Sequence, residues 1–136
     1  MQLTEQQGFN EALIKLSVLL YQVDGKVSLS EQDYLDHVID ELDWGSTISK
    51  SAFLTDAIFR AREAVDNDDC QGFIRKLSDD LNQNANKTLE VAMTLTGIDG
   101  ERSEREVELL AFLTNRVLAK SLMAQVEEFD SATPIS

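Results

Sequence analysis

Apolar residues recur along this chain at intervals of three and four, the period of an α-helix that buries one stripe. Over residues 5–23 the stripe is Phe9, Ala12, Leu13, Leu16, Leu20 and Val23, and Ile14, Val18 and Tyr21 widen it around the cylinder. A helix that apolar belongs at the centre of a fold. Gly25 tolerates the positive φ of a helix terminus and ends it, and Ser28 with Glu31 forms the Ser-x-x-Glu signature that opens a second helix. That helix turns Tyr34, Leu35, Val38, Ile39 and Leu42 inward and stops at Gly45. A third follows over residues 49–65, striped by Phe53, Ala57, Ile58, Ala61 and Val65, and Asn67, Asp68 and Asp69 break the pattern. A shorter amphipathic segment with Phe73, Ile74, Leu77 and Leu81 leads into a fifth helix over 87–96, carrying Leu89, Ala92, Met93 and Leu95. Gly97 and Gly100 flank the next turn, and Ser103 with Glu106 opens a sixth helix with Leu109, Leu110, Leu113 and Val117. The stripe then changes phase to Leu118, Leu122, Val126 and Phe129, which predicts a kink or break near residues 119–121 and a frayed tail over 130–136. The expectation is an all-α domain whose buried centre is built by the helices containing Leu16, Leu20, Leu89 and Met93.

The turn after the first helix occurs twice. Asp24-Gly25-Lys26-Val27-Ser28-Leu29-Ser30-Glu31 is echoed 75 positions later by Asp99-Gly100-Glu101-Arg102-Ser103-Glu104-Arg105-Glu106. The same offset pairs Leu16 with Val91, Leu20 with Leu95, Leu35 with Leu110, Val38 with Leu113 and Leu42 with Val117. This is an internal duplication, and each copy places two carboxylates around a tight turn. Capping accounts for part of it: Ser accepts from the N3 amide and Glu reaches back to the cap amide. Yet Glu31 lies four, seven and eleven positions before Leu35, Val38 and Leu42, so it extends the buried stripe, and Glu106 does the same ahead of Leu110, Leu113 and Val117. An inward carboxylate is costly as an ion unless a hydrogen bond, a cation or a metal compensates it. Asp24, Glu31, Asp99 and Glu106 are therefore a candidate four-carboxylate site. Arg102 and Arg105 offer Glu106 a partner other than a metal.

An autonomous EF-hand does not fit. Asp24 to Glu31 matches the later half of such a loop, but the earlier ligand positions fall on Leu20 and Gln22, and in the second copy on Leu95 and Gly97. A metal must be shared between the copies or completed by water and backbone carbonyls.

An apolar helix, Asp-Gly-x5-Glu, then an amphipathic helix, present twice in one short acidic chain, resembles the tellurite-resistance TerB-like family over roughly residues 9–117. The resemblance implies a multihelical fold of two helical repeats related by a pseudo-twofold around two central helices. On this chain that gives one domain over 1–129, with repeats over 5–66 and 69–129. It also implies a metal-chelating acidic site, which by motif position falls on Asp24, Glu31, Asp99 and Glu106, and an association with stress response.

Charge and composition narrow the function classes. A net charge of −13 over 136 residues repels nucleic acid and anionic lipid and favours cationic partners, metal ions included. The single cysteine, Cys70, forms no internal disulfide or zinc cluster and is expected to pack. No basic leader and no spanning apolar run is visible, which points to the cytoplasm. Asp33, His37 and Glu41 share one helix edge away from the apolar stripe and read as a solvated face. With one His, no Ser-His or Cys-His pair and no phosphate-binding glycine loop, the chain is not expected to be an enzyme or to need an organic cofactor. Two readings stay open: a domain binding calcium or magnesium through oxygen ligands, and a non-catalytic interaction module that recruits a protein partner and in which the motifs only cap helices. The oligomeric state is left undefined.

Overall fold

The computed structural model describes residues 5–23, 29–42, 44–45, 48–98 and 102–122. They form seven α-helices: α1 (Glu5–Gln22), α2 (Leu29–Glu41), α3 (Lys50–Asp66), α4 (Cys70–Lys76), α5 (Ser78–Leu81), α6 (Ala85–Gly97) and α7 (Glu104–Phe112). A 3-10 turn, Asn82–Asn84, joins α5 to α6, and a π turn, Leu113–Val117, extends α7. No strand occurs among the described residues, so the expected all-α class holds, and none of these helices is long and apolar enough to cross a membrane. The tail over 130–136 lies outside the described residues.

The widest apolar surface in the sequence makes the central helix. Leu13, Ile14, Leu16, Val18, Leu19 and Leu20 of α1 are all buried, and α1 packs against α2, α3, α5 and α6. Its closest neighbour, α3, presents Ala57, Ala61 and Ala64, small side chains that let the two backbones approach. Larger α3 residues, Phe53, Leu54 and Val65, flank that seam half-buried, while Ile58, expected in the stripe, stands outside it. Two polar residues follow α1 into the interior because they find partners there, as burial demands. Gln7 accepts the amide N–H of Gly45 on its Oε1 at 2.7 Å, and Ser17 Oγ donates to the Leu13 carbonyl at 2.7 Å.

The helix ends are closed by identifiable groups. Ser49 caps α3 by accepting from Ala52 N at 3.1 Å, and Asn84 caps α6 by accepting from Lys87 N at 3.1 Å. Lys50 Nζ reaches back to the end of α2, donating to the Ile39 carbonyl at 2.7 Å and to that of Leu42, just past the helix, at 3.2 Å, a cation at a helix C-terminus.

Three expectations need correction. Leu16 and Leu20 are buried, but Leu89 is only partly so and Met93 is 41% exposed: α6 shows the core Val91, Ala92 and Leu95 instead. The segment around Phe73 to Leu81 is two short helices broken at Leu77. The phase change after Val117 is produced earlier than residues 119–121, by the π turn, where Leu118 N donates to the Leu113 carbonyl five residues back at 2.8 Å. Asn82 braces that turn, its Nδ2 donating to the Val117 carbonyl at 2.8 Å while its Oδ1 accepts from Ser121 Oγ at 2.7 Å.

Candidate functional site

The helix boundaries repeat at the offset of the motif. α1 ends at Gln22 and α6 at Gly97; α2 begins at Leu29 and α7 at Glu104. Each pair differs by 75 (97 − 22 and 104 − 29). Glu31 and Glu106 occupy the same place in the first turn of α2 and of α7, and both are buried, at 9% and 4% exposure. Both carboxylates thus lie on the inward side of their helices, as the spacing to the apolar stripe requires. Asp24, Asp99 and Ser28 lie outside the described residues. Among the described residues, no group of three or more His, Cys, Asp and Glu is gathered to hold a metal ion.

The second copy carries a complete capping box. Ser103 Oγ accepts from Glu106 N, and Glu106 Oε1 accepts from Ser103 N. The box engages one carboxylate oxygen and leaves Oε2 for another partner. The neighbouring arginines are engaged elsewhere. Arg102 Nε donates to Thr96 Oγ1 at 3.0 Å and its Nη2 to the Met93 carbonyl at 2.8 Å, laying the guanidinium over the end of α6. Gly97 permits that approach, since a Cβ there would stand 2.6 Å from Arg102 Nη2. Arg105 Nη2 lies 4.0 Å from Asp68 Oδ1.

Around the first copy, burial raises the Tyr21 phenol above its usual pKa, and the negative charges of Glu31 and Asp36 add to the shift. Tyr21 therefore senses the charge on Glu31. Gln22, the last residue of α1, donates from Nε2 to the Ile58 carbonyl at 3.1 Å, and its Oε1 is buried with no hydrogen-bond partner among the described residues. Sequence reasoning missed this oxygen. A glutamine at the last helical position gives no period or motif signal, and only the fold shows that its amide is turned inward.

One cavity lies between the residue after α1 and the start of α7. Val23, the residue that leads into the first turn, lines a space of about 440 Å³ together with Arg105, Glu108 and Leu109 from the start of α7. Cys70 lies on the same wall and is buried, as expected of a packing residue; burial pushes its thiol up, against the pull of Arg105. On α2, His37 Nε2 pairs with Glu41 Oε1 at 3.1 Å with both side chains exposed, so the Asp33, His37 and Glu41 edge is a solvated face.

No protein-family model, no curated protein and no solved structure matches this chain.

Proposed function

We propose that this chain is a TerB-like helical domain, acting in the cytoplasm, whose two duplicated turns hold a divalent cation, calcium or magnesium, through Asp24, Glu31, Asp99 and Glu106. Its two repeats would be related by a pseudo-twofold around α1 and α6, and the tie to stress response rests on the family resemblance. The observation that carries the reading is the paired burial of Glu31 and Glu106 at equivalent positions 75 residues apart. The donors fit a hard cation, which prefers carboxylate and amide oxygen. Glu106 keeps Oε2 outside its capping box, and Gln22 Oε1, without a partner among the described residues, adds a buried neutral oxygen at the end of α1. When bound, the cation supplies the positive charge that carboxylates in apolar surroundings need. The cavity shared by Val23 and Arg105 supports a common end for both turns, which a bridging ion requires. No catalytic step is part of this reading.

The test is calorimetric titration of chelator-stripped protein with calcium and magnesium, beside the variant D24N/E31Q/D99N/E106Q at fixed ionic strength. A ligand at about 100 times its Kd stabilises the native state by about 2.7 kcal/mol, and only the unaltered chain is expected to gain it. Equal responses would reduce the ion effect to screening of the net charge. The capping box at Ser103 and Glu106 favours the second reading, an interaction module, and that reading would then take its place.

A further inference from the structure

Met93 departs from the burial of its counterpart in the sequence repeat. Val18, 75 positions earlier, is fully buried, while Met93 is 41% exposed. What lies against each helix accounts for the difference. Lys15, Val18 and Gln22 follow one another on a single side of α1, at helical spacing. α3 runs along that side: Lys15 Nζ lies 5.6 Å from the centre of the Phe53 ring, and Gln22 Nε2 donates to the Ile58 carbonyl at 3.1 Å. The corresponding residues of α6 are Glu90, Met93 and Gly97. Glu90 and Met93 are exposed, as are Asn86 and Thr94 beside them, so no described residue covers this side of α6 as α3 covers α1.

The repeat offset names a segment for this place. α3 begins at Lys50, and 75 positions on stands Gln125, within the stretch over 123–136 that lies outside the described residues. A π turn uses one residue more than an α turn; 76 positions on from Phe53 stands Phe129. Two contacts of the described chain aim that stretch at α6. Ser121 Oγ donates to Asn82 Oδ1 at 2.7 Å, three residues before α6 begins at Ala85, so the chain leaves the described residues beside the start of α6. It is helical over 119–122, with Leu118 buried and Leu122 packed against the core. Val126 and Phe129 continue that stripe at intervals of four and three, so a helix carried on through Leu122 turns both towards the body. The reach agrees: at about 1.5 Å per residue, Leu122 to Phe129 spans about 10 Å and Ala85 to Met93 about 12 Å.

We propose that residues 123–133 dock back on α6 as a further helix of this chain, with Val126 and Phe129 against Met93. Pro134 ends the helix, because the residue before a proline is driven out of the α region. Apolar contact and not charge holds it, since Glu127, Glu128 and Asp130 belong to the segment and Glu90 lies on the face. Tethering beside α6 favours this segment over a second copy of the chain, which would have to associate from solution. Two apolar side chains on a short helix make a weak contact, so the strap opens locally and loss of the Met93 side chain costs the domain little. Docking of this kind rests on the two-repeat part of the reading above and uses none of the four turn carboxylates, so its failure leaves the cation titration to decide that reading alone.

The test is the cysteine pair M93C/F129C in the full chain carrying C70S, oxidised with diamide at low micromolar protein. An intramolecular disulfide is expected, identified by the mass of the linked peptides, since a bridge needs the two Cα atoms within about 7 Å. The pair D56C/F129C, with Asp56 exposed on α3, should stay reduced. A second readout leaves Cys70 and Met93 in place: peroxide should oxidise Met93 severalfold more slowly in the unaltered chain than in V126S/F129S, followed by peptide mass. The proposal is overturned by a reduced M93C/F129C pair, by equal bridging in D56C/F129C, which marks a segment ranging over the surface, or by a bridge between two chains, which gives the face to a second copy. Equal oxidation rates at Met93 would overturn it as well.

Discussion

Ser103 and Glu106 cap one another across the first turn of α7, each side chain accepting from the other's backbone amide, at 3.2 and 2.9 Å. Removing the hydroxyl leaves the Glu106 amide without its acceptor. Ser103→Ala is therefore expected to cost about 0.5–2 kcal/mol, seen as a lower midpoint in urea unfolding with an unchanged slope. Glu106→Gln keeps the side-chain acceptor and should cost less than Glu106→Ala. An unchanged midpoint for Ser103→Ala would remove the cap from the account of α7.

Tyr21 reports on Glu31. Burial and the charges of Glu31 and Asp36 hold its proton beyond the pH at which an unfolded tyrosine releases it. The native state then binds more protons than the unfolded chain, so this group's contribution to stability is present below about pH 10 and is lost as pH rises through the folded pKa. Glu31→Gln should move the Tyr21 titration downward, measured as tyrosinate absorbance against pH in a Tyr34→Phe background. A cation held at Glu31 should move it the same way, and no movement with Glu31→Gln would separate the two residues electrostatically.

Cys70 has the same sign of linkage and the same main cause, but its charged neighbour opposes the shift. Burial raises its thiol, while the Arg105 guanidinium draws it down. Its stabilising contribution is present below the ordinary thiol value of about 8.5 and fades as pH climbs through the raised one. Reaction with an aromatic disulfide should be slower than for an unfolded thiol at the same pH, and slower again in Arg105→Gln. A rate equal to that of the denatured protein would show that the side chain is not shielded.

Leu20 and Met93 were expected to share the centre and do not. Leu20 is 1% exposed and Met93 is 41% exposed. Leu20→Ala should cost about 2–5 kcal/mol, and Met93→Ala should stay within about 0.5 kcal/mol, by thermal or urea unfolding. Comparable losses would place Met93 inside after all.

These contrasts show where periodicity is informative. The α1 stripe covers so much of its cylinder that any packing direction buries it, and the Ser-x-x-Glu signature marks the start of α7 because a cap is a local event within one turn. The inward placement of Glu31 and Glu106 was legible for a related reason, since each sits on the register of residues that must be buried. What failed depended on partners distant in sequence. Met93 lies on a narrower stripe whose orientation is set by where α6 meets α1 and α2. The break at Leu77 leaves a buried leucine in place, so hydropathy alone cannot detect it. The π turn did leave a trace, the phase change of the stripe, but its position is fixed by the side chain of Asn82 reaching Val117 across 35 positions. The cavity lined by Val23 and Arg105 has no linear signature, because its walls meet only when α4 packs on α7.

The central placement of α1 makes the earlier and later helices mutually dependent. α1 is buried by α3, which follows it closely, and by α6, from late in the chain. A chain cut between α3 and α4 would give one fragment with a bare leucine-rich face and a second lacking the rod around which it assembles. Expressed apart, the fragments should self-associate or fail to fold; expressed together, they should reassemble without a covalent link. A sequence that reads as one unit written twice would then behave as a single complementing pair.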